Sequence, residues 1–238
     1  MNREYHKWYS PYLGRDMEFL FYGHAGRPIL AFPTSMGSYY QNEDFKLIAA
    51  IQPRIEAGEV QVVCVDGVDA ESWYNRRLSP HDRAMRHNAY EAYLLNELLP
   101  WWGERAPGVG DNLVTTGCSF GAYHAVNFAF RHPDRVRKIV AMSGAYSLKA
   151  LLHMDMDTDA YLNSPADYIP NLHDDWYLLQ MRQQEIILAV GSDDICLDAT
   201  RLLSQELWDK AVPHLLDIWG GAWHDWPIWR DMAIKFLY

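Results

Sequence analysis

Thr115–Phe130 reads TTGCSFGAYHAVNFAF, and this stretch decides the fold. A Thr/Val run enters Gly117-Cys118-Ser119-Phe120-Gly121, and the residues beyond are small and apolar: Ala122, Ala125, Val126, Ala129. A surface turn would favour Asn, Asp or Pro, and none is present. The pattern is that of a buried strand turning directly into a helix buried against a sheet, with a serine held at the bend. G-x-S-x-G between a strand and a helix has the form of a nucleophile elbow. Side chains at Gly117 or Gly121 would crowd the turn. The Ser119 hydroxyl is raised to the positive end of the following helix, where an anion is favoured. The competing reading keeps the same residues as a tight turn whose serine only caps the helix.

Outward from the elbow, short apolar runs alternate with longer helical ones. Strands are expected at Glu18–Tyr22, Ile29–Phe32, Val60–Val65, Leu113–Thr116, Lys138–Met142, Glu185–Val190 and Leu215–Trp219. Several are apolar on both faces ("ILAF", "VVCV", "IILAV"), as parallel strands covered on both sides are. Helices are expected at Asp44–Glu56, His81–Trp102, Phe120–His132, Thr200–Ala211 and Pro227–Leu237. Alternation of this kind implies a mostly parallel central sheet with helices on both faces. The first two strands, joined through "GHAGRP", read as an antiparallel hairpin. No repeat or linker divides the chain, so 1–238 reads as one domain. Residues 146–184 carry Asn, Asp and Pro among Tyr161, Tyr168 and Trp176, and read as a short insertion covering the pocket.

A serine hydroxyl needs a base to become a nucleophile. Of the ten histidines, His224 in "DIWGGAWHDWPIW" follows the last expected strand, at the end of the sheet that faces the elbow. His214 precedes that strand and falls at the wrong end. The remaining histidines lie in the N-terminal segment, in helices or in the insertion. The base needs an acid to hold its tautomer. "ILAVGSDDICL" supplies Asp193 and Asp194 just after the penultimate strand, and strand position alone leaves both open. The order Ser…Asp…His is that of the α/β-hydrolases.

Composition narrows the alternatives. With 238 residues, 49% of them hydrophobic and 22% charged, the chain can bury a substantial core. A net charge of −10 disfavours nucleic acid and anionic membranes as partners. No apolar run reaches the length of a membrane span, and the first twenty residues have no signal-peptide core, so a cytoplasmic location is expected. Cys64, Cys118 and Cys196 make neither a disulfide framework nor a zinc motif. Asp155, Asp157 and Asp159 resemble the start of a calcium loop. Ala160 stands where glycine is required, however, and Ala166 where the closing glutamate should be. No metal or cofactor is therefore expected. Asp225 is expected to cap the last helix, and the Cys118 thiol to point into the core.

Taken together, "KWYSPYLGRDMEFLFYGHAGRPILAFPTSMGSYYQNEDF", "CVDGVDAESWY", the elbow, "YLNSPADYIPNL" and "HDWPIWR" resemble the bacterial "putative esterase" branch of the α/β-hydrolases. That branch is related to esterase D/S-formylglutathione hydrolases and to mycolyltransferases. The resemblance implies Ser119 as nucleophile, His224 as base and Asp194, three residues past Gly191, as acid. It further implies an oxyanion hole formed by the backbone N–H groups of Phe120 and, in the loop after "ILAF", Met36. That loop departs from its relatives, with Thr34-Ser35-Met36-Gly37 in place of Ser-Gly-Leu, so the S-formylglutathione substrate does not carry over. The expected activity is hydrolysis of small, short-acyl esters. The alternatives are acyl transfer by the same triad and, less favoured because every triad position is filled, a binding protein on a hydrolase fold.

Overall fold

Val60–Val65 and Leu113–Cys118 are buried along their whole length, which requires neighbours on both edges and cover on both faces. The computed structural model, which describes residues 1–106, 109–153 and 156–238, supplies both. The strands are β1 Arg3–Ser10, β2 Arg15–Tyr22, β3 Arg27–Phe32, β4 Val60–Val65, β5 Leu113–Cys118, β6 Val136–Met142, β7 Glu185–Gly191 and β8 Leu215–Trp219. They form one eight-stranded sheet in the order β1-β2-β4-β3-β5-β6-β7-β8. From β4 onward every pair is parallel, and β1 and β2 close one edge antiparallel.

The helices are α1 Gln41–Asp44, α2 Leu47–Glu56, α3 Pro80–Tyr93, α4 Leu99–Gly103, α5 Phe120–Arg131, α6 Thr158–Tyr161, α7 Pro165–Tyr168, α8 Asp175–Met181, α9 Leu197–Asp209 and α10 Trp226–Phe236. Apolar residues of α2 and α10 (Ile48, Ile51, Trp229, Met232) cover one face of the sheet. Those of α3, α5 and α9 (Tyr90, Tyr93, Ala122, Val126, Leu203, Leu207) cover the other. This is the α/β-hydrolase architecture.

Three expectations are corrected. β2 and β3 are not a hairpin, because β4 lies between them, antiparallel to β2 and parallel to β3. A β4 buried along its whole length is not an edge strand, and Gly23 and Gly26, at φ 99° and 91°, let the chain cross its start. The real hairpin is β1–β2, and β1 is absent from the expected strands. Its residues alternate between exposed and half-buried without an apolar run, and His6 and Trp8 pack inward on Phe19 and Trp101. The helix expected at Asp44–Glu56 is broken at Lys46, which adopts φ 63°.

Within residues 146–184, Leu148, Leu152 and Ala160 pack with Trp73, Phe120 and Tyr123, so this segment rests on the elbow helix. A charged clamp fixes the far end of that helix. The Arg131 guanidinium donates to both Glu91 carboxylate oxygens, at 2.7 and 2.9 Å, tying α5 to α3. Burial opposes the charge on Glu91, but donation from His132 and Arg131 outweighs it and holds its pKa at about 2 instead of 4.5.

A folded pKa below the unfolded one stabilises the native state above pH 4.5, and that stability fades as pH falls toward 2. Glu91→Gln is therefore expected to cost about 2 kcal/mol at pH 7, since it leaves Arg131 without its counter-charge. Urea unfolding should find most of that difference gone at the lowest pH at which both proteins still fold.

Candidate active site

The elbow is held by backbone packing. Ser119 lies at φ 56° and ψ −123°, a conformation L-residues rarely adopt. Its N–H donates to Met142 O at the end of β6 (2.9 Å), and its carbonyl accepts the Ala122 N–H (3.0 Å). A Cβ on Gly117 would fall 2.3 Å from the Gly121 carbonyl carbon, and one on Gly121 would fall 2.5 Å from Pro33 O. Strand, helix and the loop after β3 thus meet backbone to backbone. The Ser119 side chain does not cap α5. Its Oγ lies instead 3.0 Å from His224 Nε2.

His224 reaches the elbow from the loop between β8 and α10, whose first turn is capped by the Asp225 side chain on the Trp226 N–H. His224 Nδ1 is 2.9 Å from Asp194 Oδ1, which also accepts the Cys196 N–H at 2.7 Å. The Asp194 side chain is fully buried, whereas the His224 ring keeps 20% of its surface exposed. Burial works against the Asp194 charge, yet donation from His224, Ser143 and the Cys196 N–H prevails and holds its carboxyl below the ordinary range. Asp193 is exposed and turned away; its N–H donates to Ala222 O, and its carboxylate takes only the Ser192 hydroxyl. Ser192 and Asp193 form a turn in which the Asp194 N–H reaches Gly191 O, and of the two aspartates Asp194 meets His224.

Sequence reasoning missed two supporting residues. Trp229 on α10 stands edge-on to the His224 ring, with centroids 4.9 Å apart, and its indole N–H donates to Ser143 Oγ at 2.9 Å. Ser143 follows β6 at φ 57°. The tryptophan in "HDWPIW" could have been suspected from its place one helical turn beyond the base. Nothing in the sequence singles out Ser143.

The oxyanion loop departs from expectation at Met36. Its N–H donates to Asp69 Oδ2 at 3.0 Å, so it is not a free donor. The Thr34 N–H donates to Gln41 Oε1 and the Gly37 N–H to Thr34 O. Among the described residues, the N–H groups of Ser35 and Phe120 have no acceptor. Tyr74 links them: its hydroxyl donates to Ser35 Oγ at 2.9 Å, and its ring meets the Phe120 ring edge-on at 5.2 Å.

The other singled-out residues lie elsewhere. Cys118 packs in the α2/α10 core. Asp157 caps α6 through the Ala160 N–H and pairs with His81, while Asp155 lies outside the described residues. An apolar cavity of about 360 Å³ bordered by Phe130, Leu162 and Tyr168 sits at the opposite end of α5 from Ser119 and is separate from this site.

The family described as "Putative esterase" matches residues 10–235. No curated protein matches the sequence. Solved structures similar in fold include a ferulic acid esterase (17% identity, TM-score 0.81, covering 99% of this chain and 96% of that one). The S-formylglutathione hydrolase of Agrobacterium tumefaciens is similar at 13% identity and a TM-score of 0.76, over 99% of this chain and 92% of that one. MPT51 of Mycobacterium tuberculosis is similar at 15% identity and a TM-score of 0.71, over 99% and 96%. No helix among the described residues is long and apolar enough to cross a membrane.

The acid and base loops touch where Gly191 meets Ala222. A Cβ at Gly191 would lie 2.0 Å from Ala222 O, a backbone atom that no rotamer change can move. Gly191→Ala is expected to cost about 1–3 kcal/mol, as overpacking does, and to part Asp194 from His224. Thermal unfolding reads the first effect. Loss of the downfield imidazole N–H proton resonance in NMR reads the second.

Proposed function

The chain belongs to the "Putative esterase" family and is a carboxylesterase, and on that premise we propose that Ser119, His224 and Asp194 carry out its reaction. The observation that carries the proposal is the unbroken hydrogen-bond chain from Ser119 Oγ through both His224 nitrogens to a buried carboxylate. Ser119 Oγ attacks the ester carbonyl as His224 Nε2 takes its proton. Asp194 holds the Nδ1–H tautomer and stabilises the imidazolium. His224 then returns the proton to the departing alcohol, leaving an acyl-serine. Water, deprotonated by the same imidazole, releases the acid.

The tetrahedral oxygen is held by the Phe120 N–H and, in a change from the expected Met36, by the Ser35 N–H. Uncommitted donors cost no rearrangement when charge develops, and such groups make the largest single contribution in many enzymes. The substrate is a small ester. Exposed Ile195 and Trp223, next to the acid and the base, give the site an apolar rim. The short 146–184 segment, which we take to cover the pocket, is expected to favour a compact acyl group.

Ser119→Ala should abolish ester hydrolysis by about six orders of magnitude and end labelling by a fluorophosphonate probe, without loss of fold. Retained turnover in a clean preparation would reject Ser119. Asp194→Asn should lower kcat by about 10⁴-fold, whereas Asp193→Asn should be nearly silent. The reverse pattern would move the acid to Asp193. Among p-nitrophenyl esters, kcat/KM should peak at roughly C2 to C4, since pocket shape sets chain-length discrimination. A steady climb toward C12 would refute the compact site.

A further inference from the structure

Asp69 and His124 take no part in the proton transfers above, yet both are buried, at 2% and 4% exposure. Asp69 Oδ1 accepts from His124 Nε2 at 2.9 Å, and Asp69 Oδ2 accepts the Met36 N–H at 3.0 Å. One carboxylate therefore bridges α5 and the loop after β3. The His124 ring packs edge-on against Phe120, at 4.9 Å, and stacks on Phe32 at the end of β3, at 5.7 Å. Met36 sits at φ 58°, in the left-handed region that side-chain-bearing residues hold only when their surroundings fix them.

A buried carboxylate is costly unless its lone pairs are filled, and a filled one rigidifies whatever it joins. Here it joins the two segments that carry the uncommitted N–H groups. Ser35 immediately precedes Met36, and Phe120 rests on the His124 ring. Resting on the serine-esterase reading of this site, we propose that Asp69, backed by His124, is a positioning residue that sets the separation of the Ser35 and Phe120 oxyanion donors. It touches neither substrate nor nucleophile. Its effect is felt only when the carbonyl oxygen becomes charged, so it should act on kcat rather than KM.

Removing the bridge tests this. In Asp69→Ala, kcat should fall by about 10²-fold, the scale of one lost oxyanion donor, with KM within about threefold of wild type. The affinity for a boronic acid, which mimics the tetrahedral adduct, should fall in parallel. Titration with a fluorophosphonate should still count one site per chain. Asp69→Asn can accept the Met36 N–H and donate to the other tautomer of His124, so it should recover most of kcat. A folded Asp69→Ala with kcat within about threefold of wild type would overturn the proposal, as would an Asn variant no better than Ala. If Asp69→Ala does not fold, His124→Leu against His124→Gln asks the same question. Gln can still donate to Asp69 and should keep kcat where Leu loses it; equal losses would overturn the proposal. Ser119→Ala, run alongside, separates this outcome from failure of the underlying reading, which only its retained activity would indicate.

Discussion

The contact of bare backbone at the elbow is the constraint on which the rest of the structure depends. Gly117 and Gly121 have no room for a methyl group, because β5, α5 and the Pro33 carbonyl occupy the same few ångströms. That contact forces Ser119 to φ 56°. Each strained feature then has its own restraint: the Ser119 N–H on Met142 O, the buried α5 packed into the sheet, and the Glu91–Arg131 clamp at the far end of the helix. Local strain of this kind survives only where the surroundings over-determine it.

Charge is handled in the same way. Two buried carboxylates flank the elbow, and each is paired on at least one oxygen. Asp194 takes an imidazole and a backbone N–H, and Asp69 takes another imidazole and another backbone N–H. The two differ in access. His224 keeps part of its ring in solvent, where a substrate can meet it, while His124 is sealed beneath Phe120. Similar donor sets thus leave one histidine open to solvent and seal the other inside, and exposure of the histidine is what separates them.

Much of this was legible in the sequence because burial leaves a strong periodic trace. β4 and β8 fall where their apolar runs predict, and the elbow is legible from its glycines. β1 was not, since this edge strand alternates exposed with half-buried residues and has no apolar run. The β2–β3 link was misread because a short glycine-rich connection fits a hairpin and a crossover equally well, and only the burial of β4 decides between them. Resemblance points to Asp194 over Asp193, and the turn at Ser192–Asp193 brings Asp194 rather than Asp193 to His224. The Met36 N–H is taken up by Asp69, which the sequence could not show because a backbone donor has no residue-type signature. Which N–H in a loop is free depends on where the others point, here on Asp69 and Gln41, distant in sequence. The Trp229–Ser143 bond spans 86 residues and left no local sign at all.

The order of the sheet has a consequence for how the protein comes into being. Ser119 lies at the end of β5, whereas His224 follows β8, 105 residues later, and among the described residues β8 is an edge strand paired with β7. During synthesis the elbow and its glycines emerge before the imidazole. Until β8 docks, the Ser119–His224 hydrogen bond cannot form, so that contact marks completion of the sheet's far edge.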